Sequence, residues 1–128
     1  MPVTTIEVRR RYSPEQEVAI IEAVHAALVE GLQIPLWDKI IRFVAHEPHR
    51  FTSDPGKGES FTLVSIDLFA GRSLKAKRAL YAAMAERLAP LGIARDHLKV
   101  LLREIPREDW GIRGVPASEI ELGYQIEV

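Results

Sequence analysis

The chain contains no cysteine. That excludes disulfides, thiolate nucleophiles and cysteine-based metal sites, and it fits a reducing cytosol. Nor is there a surplus of either charge: 17 Lys and Arg stand against 18 Asp and Glu, a formal net charge of -1. Without a basic excess nothing points to nucleic acid or to an anionic membrane, so any anion site must be local. Charges begin at Glu7 and no long apolar run occurs after it, a pattern that predicts neither a signal peptide nor a membrane span, and hence a cytoplasmic location. No Ser-His-Asp signature, phosphate loop or dinucleotide fingerprint occurs. His25, His46 and His49 lack the spacing of a metal-ligand set and read as structural or solvated. Neither a metal nor a cofactor is expected. What remains, at 128 residues with 47% hydrophobic and 27% charged side chains, is the composition of one soluble globular domain spanning 1–128.

Pro2 stands directly behind Met1. Loss of Met1 leaves a secondary amine at the terminus, and Pro2 is the mature end expected here. Terminal amines titrate near ~7.7–8.0, so an apolar pocket with cations nearby brings such a group close to neutral pH, where acid and base forms coexist. Proline makes up about 5% of residues, so Pro2 alone is a one-in-twenty coincidence and needs support from the rest of the chain.

That support comes from a duplicated pattern. Val3 to Arg9 alternates apolar Ile6 and Val8 with polar neighbours, as a half-buried strand does. Ser13-Pro14-Glu15-Gln16 reads as a capping box with proline at the first helical position. Val18, Ile21, Val24 and Leu28 then form an apolar stripe that ends near Gly31, the expected C-terminal cap. Lys39 to His46 is the next strand. After a loop over 51–60 carrying Pro55, Gly56 and Gly58, the order repeats: strand Phe61 to Leu68, Ser73 as helix cap, a helix with Leu80, Met84, Leu88 and Leu91 on its apolar side, Gly92 as its stop, and strand Leu98 to Arg103. Ile6 and Val8 match Ile66 and Leu68 at an offset of 60 (66 − 6). The predicted fold is therefore α+β: two βαβ repeats, about 2–50 and 61–106, forming a four-stranded sheet with both helices on one face. An arm completes the chain over 107–128, and its stretch Ile120 to Val128 alternates apolar and polar and predicts a C-terminal strand. Pairing with the sheet edge of a neighbouring copy is the favoured use of that strand.

Three side chains carry candidate chemistry. Arg72 precedes a helix start, where a cation gains nothing from the helix dipole. With free backbone amides beside it, it reads either as a carboxylate-binding fork or as a solvated surface arginine. Asp38 reads as a carboxylate able to orient water or hold a terminal amine in one protonation state, or as a plain turn residue. Trp110 reads as the wall of an apolar pocket or as ordinary core.

Taken together, Pro2, the duplicated units, Gly71-Arg72-Ser73 and Trp110-Gly111-Ile112 resemble the tautomerase superfamily. The second half is similar to the short 4-oxalocrotonate tautomerase subunits, and the full length to the fused malonate semialdehyde decarboxylase-like branch through Ile34-Pro35, Asp38, Ala45-His46-Glu47-Pro48 and Asp109-Trp110. The resemblance implies a homotrimer, Pro2 as catalytic amine with Asp38 as its polar assistant, and Arg72, Lys99 and Trp110 around a small carboxylate substrate. Lys99 stands where the short subunits carry an arginine, keeping charge without the fork. A single arginine in Phe69-Ala70-Gly71-Arg72, and Gly111-Ile112 in place of Ser-Phe, turn the expectation from decarboxylation toward keto-enol tautomerisation of a small 2-oxo or enol acid. The alternatives are decarboxylase, hydratase or haloacrylate dehalogenase chemistry on a three-carbon acid, and a non-catalytic oligomeric binding module.

Overall fold

The computed structural model describes residues Met1–Val128. Strand β1 (Val3–Val8) buries Thr4, Ile6 and Val8 and turns the alternate residues to the other face. Helix α1 (Pro14–Leu32) begins with the expected capping box: the Ser13 hydroxyl accepts from the Gln16 amide while the Gln16 side chain receives the Ser13 N–H. Strand β2 (Ile40–Ala45) closes the first unit. The second runs through β3 (Thr62–Phe69), α2 (Leu74–Leu88) and β4 (Leu98–Ile105), with Ser73 capping α2 through the Ala76 amide.

The sheet order is β2-β1-β3-β4. Within each unit the two strands run parallel, and the units meet antiparallel along β1 and β3, with Ile6 beside Val64. Each parallel pair is the outcome of a helical crossover, and both helices lie over the same face. There Ile6, Val8, Val64, Ile66 and Leu68 meet Ile20, Val24, Leu28, Leu80, Met84 and Leu88 in one buried core. The opposite face carries the exposed side chains of Ile40, Val44 and Leu101, and it is covered at the Phe69 end by the cluster of Ala117 and Ile126.

Three expectations change. Gly31 is not the cap of α1: the helix runs on to Leu32 and Gln33 takes the left-handed position, φ 56°. Gly31 instead lets α1 and α2 approach, since a Cβ there would lie 2.6 Å from the Leu80 Cα. The stripe of α1 is also rotated, because Val18 is 57% exposed and the inward positions are Ile20, Val24, Ala27, Leu28 and Leu32. The third change concerns the tail. Residues 120–128 form no strand in the chain. Gly123 at φ 78° breaks the extended run, and the apolar side of the alternation is satisfied by packing rather than by a ladder: Leu122, Tyr124 and Ile126 join the cluster of Phe69 and Ala117. Between β4 and this tail, β5 (Gly111–Ile112) and β6 (Val115–Pro116) form a small hairpin. Arg113 and Gly114 both take positive φ at its turn, as a tight hairpin requires.

Candidate active site

One end of the sheet gathers the start of β1, the loop before β2 and the end of β3, because β1 runs antiparallel to β3 and parallel to β2. Pro2 is buried there. The terminal amine, carried by Met1, donates to the Tyr124 hydroxyl at 2.6 Å, and that hydroxyl donates to Asp38 Oδ2 at 2.8 Å. Asp38 Oδ2 is itself 3.7 Å from the amine, and its side chain is only 3% exposed.

Helix α1 fixes the loop that carries Asp38. His25 Nε2–H donates to the Leu36 carbonyl at 2.9 Å, and Glu22 pairs with Lys39, so the chain is held on both sides of Asp38. The Asp38 amide closes a turn onto the Pro35 carbonyl at 3.1 Å. His25 is therefore a structural histidine, as its spacing suggests.

Arg72 is 5% exposed. Its Nη1 donates to the Phe69 carbonyl at 3.1 Å, whereas Nε and Nη2 are buried with no protein partner. Those two nitrogens form one edge of the guanidinium, the edge that grips a carboxylate with two parallel hydrogen bonds. A buried donor left unmade costs about 1–3 kcal/mol, more when charged. An anion that meets this edge recovers that loss. Burial pushes the Arg72 pKa down, while Tyr124, Asp38 and Glu104 pull it back up.

Electrostatics at the amine are set first by burial, which disfavours the charged form. Asp38 opposes it, and Arg72 and Arg107 reinforce it, bringing the group from the usual 8.0 down to about 6. The Tyr124 hydroxyl moves the other way. Burial and its bond to Asp38 raise its pKa, so it stays protonated and able to donate. The arrangement thus holds a largely neutral amine at pH 7, a hydroxyl relay, a buried carboxylate and a cation with a free edge.

Of the residues expected from the sequence, Pro2, Asp38 and Arg72 come together. Trp110 lies beside them: its ring centre is 4.8 Å from that of Phe69 in an edge-to-face contact, and Nε1 donates to the Ile105 carbonyl at 3.2 Å. Lys99 is not brought there by its own chain. It pairs in register with Leu63, whereas Phe69 pairs with Ile105, which puts it six strand positions, about 20 Å, toward the opposite end of the sheet. Two residues escape the sequence reading. Tyr124 is hidden in an alternating tail where it counts only as an apolar position, and Arg107 stands after Pro106 with no spacing that marks it. A hydroxyl-bearing aromatic in a Gly-containing tail is the one signal that singles out Tyr124.

The family model of the tautomerase enzymes matches residues 38–113. A probable tautomerase of Ralstonia nicotianae is 37% identical over 57 residues, covering 44% of this chain and 81% of that protein. Among solved structures, FG41 malonate semialdehyde decarboxylase inhibited by 3-bromopropiolate is similar with TM-score 0.76 and 33% identity, over 91% of this chain and 92% of that one. A fused 4-OT described as an asymmetric trimer shares the fold at TM-score 0.84 and 21% identity, over 95% and 99% of the two chains. No helix is long and apolar enough to cross a membrane. The matched segment reaches from the buried carboxylate of Asp38 through Arg72 to the Trp110 turn, and with it the chain belongs to the tautomerase family.

Proposed function

We propose that the protein is a cofactor-independent keto-enol tautomerase acting on a small 2-oxo or enol carboxylic acid, with Pro2 as its proton shuttle once Met1 is removed. The observation that carries this reading is the unpartnered Nε/Nη2 edge of Arg72, buried beside a terminal amine whose pKa is lowered to about 6. In the proposed mechanism Arg72 grips the substrate carboxylate. The neutral Pro2 nitrogen, held among the neighbours that surround the Met1 amine, accepts the proton from the enol oxygen or from carbon and returns it at the other position. Negative charge spreads over the dienolate in between, and the cation already bound to the carboxylate stabilises it. Asp38 and Tyr124 hold the amine in place, and the Tyr124 hydroxyl donates to the oxygen that gains charge when it turns its one proton from Asp38 to the substrate. Trp110 and Phe69 supply the apolar wall.

The exposed Ile40, Val44 and Leu101 on the sheet face away from the helices and the trimeric relatives support a homotrimer, in which a neighbour's Lys99 is available to a site that its own chain does not reach. A second reading keeps the fold and uses a protonated Pro2 as acid with Asp38 aligning water, giving decarboxylase or hydratase chemistry on a three-carbon acid. The likeness to the FG41 decarboxylase favours it, and the depressed amine pKa favours the base. The test is ketonisation of phenylenolpyruvate by the processed protein and its Pro2→Ala variant, with intact mass confirming loss of Met1. The expected result is a fall of about 10²–10⁴-fold in the variant. Equal turnover by the two would rule out Pro2 as the shuttle, and no turnover by either would return the chain to a non-catalytic binding module.

A further inference from the structure

Arg107 enters the site from the short turn after β4, and three separate contacts hold it there. Its Nη2 donates to the carbonyls of Ala117 at 3.3 Å and Ile120 at 3.1 Å. Its guanidinium carbon lies 5.9 Å from the centre of the Phe69 ring. Its Nε is buried and has no partner. Phe69 is thereby shared between two guanidinium groups, since its carbonyl is the acceptor for Arg72 Nη1.

The two carbonyls matter because they sit at the root of the tail. Ala117 is fully buried, Ile120 ends its turn, and the irregular segment departs from that point. Four residues on, Tyr124 reaches Asp38, and at the far end the Ser73 hydroxyl donates to the Val128 carbonyl oxygen at 2.8 Å. A tail with no strand ladder and a left-handed Gly123 has little of its own to hold it in register. Arg107 at its root and Ser73 at its tip are the polar ties on either side of Tyr124.

We propose that Arg107 is a positioning residue of this site: its Nη2 anchors the root of the 120–128 tail so that Tyr124 meets Asp38 beside the proton-shuttling amine, and its cation lies against the Phe69 ring at the same end of the sheet. The inference rests on the reading of Pro2 as the shuttle. The charged and titratable groups around that amine are Asp38, Tyr124, Arg72 and Arg107. Asp38 favours the protonated form, and the two cations favour the neutral one. Lysine at position 107 keeps the charge, but its shorter, freely rotating ammonium replaces an Nη2 whose two hydrogens the guanidinium plane aims at the two carbonyls. Methionine keeps neither.

The experiment uses the full chain with Met1 removed, and compares the parent with Arg107→Lys, Arg107→Met and Tyr124→Phe. Three quantities are read: the Pro2 nitrogen pKa by ¹⁵N NMR titration, amide hydrogen exchange over 121–128, and kcat and KM for phenylenolpyruvate. Arg107→Met is expected to raise the Pro2 pKa, by less than loss of Arg72 would, and to speed tail exchange. Arg107→Lys is expected to leave the pKa close to the parent's while still speeding tail exchange and raising KM. Because both act through Tyr124, adding Tyr124→Phe to Arg107→Lys costs less than the sum of the two changes. Unchanged tail exchange in both Arg107 variants overturns the anchoring role, and an equal pKa shift in the two, or none in either, overturns the electrostatic one. Should Arg107→Met fail to fold, the lysine variant decides the anchoring by tail exchange, and Arg107→Gln, which drops the charge but keeps a donor, decides the charge by whether the Pro2 pKa rises. If Pro2→Ala turns substrate over as fast as the parent, the shuttle reading fails on its own, while titration and exchange still decide the placement of Arg107.

Discussion

The two ends of the sheet are built from the same parts and differ in what they hold. Ser13 and Ser73 cap the two helices at a separation of 60 (73 − 13), and on that offset Thr62 answers to Pro2, Arg9 to Phe69 and Tyr12 to Arg72. At the Pro2 end a terminal amine, Asp38 and Arg72 are enclosed by the tail. At the other end the nitrogen of Thr62 is an ordinary amide within the chain, and the charges face each other: Arg11 pairs with Glu47 at 3.1 Å, and His46 Nε2 lies 3.0 Å from Glu7. Arg9 spends Nη1 on Ser53 and the Gly58 carbonyl. Exposed pairs of this kind contribute little and solvent screens them. Duplicating a βαβ unit therefore reproduces a scaffold without reproducing a site. The difference lies in one free nitrogen and in how much of a guanidinium is left unmet: Arg72 keeps both Nε and Nη2 buried without a partner, Arg9 only Nε.

The comparison is most sharply broken at Arg72. Arg72→Ala removes the only free buried guanidinium edge beside the amine, and KM is expected to rise about 10–100-fold, the size of a charged hydrogen-bond pair. Steady-state kinetics on the processed protein check it, and a fall in kcat of the same size assigns Arg72 to the developing charge instead. Changing pH acts on the same end. A base must be neutral, so kcat/KM is expected to hold above pH 7 and to fall tenfold per unit as pH drops through a value well below that of an ordinary terminus, near the 6 set by the surroundings of the Met1 amine. A rate that instead falls as pH rises toward 9 identifies the acid mechanism.

Two further variants probe what the ends share. Gly31→Ala puts a methyl group against the Leu80 backbone at 2.6–2.8 Å, and overpacking of this kind costs about 1–3 kcal/mol in urea unfolding. Ser13→Ala should cost about 1 kcal/mol through the lost cap. At the far pole Arg10→Ala, a side chain that only lies over the Tyr12 ring, is expected to leave the rate unchanged. A loss there would mean that the second pole takes part in turnover.

Legibility in the sequence tracks the range of the interactions. Helix caps are local, so Ser13, Pro14, Gln16 and Ser73 can be read directly, and the three with side-chain donors or acceptors form the bonds expected of them. Strand alternation marks β1, whose inward residues are the ones buried, and β3, where Ser65 and Phe69 on the opposite face are buried as well. Gly31 defeats a local reading because a glycine near a helix end serves equally as a cap or as a point of close approach, and only the position of Leu80 separates the two. The tail misleads for a related reason. Alternation reports that one side is apolar, not whether a neighbouring strand or a cluster such as Phe69, Ala117 and Ile126 receives it.

By itself the sequence determined two capped βαβ units, a proline behind the initiator methionine, an arginine at a helix start and an acidic loop residue, because each of these is written in spacing of a few residues. Only the tertiary structure decided that Asp38 and Arg72 are buried around one amine, that Tyr124 and Arg107 join them from distant parts of the chain, and that Lys99 does not. Those outcomes depend on antiparallel pairing of β1 with β3, which brings distant chain segments to one end of the sheet and sends the start of β4 to the other.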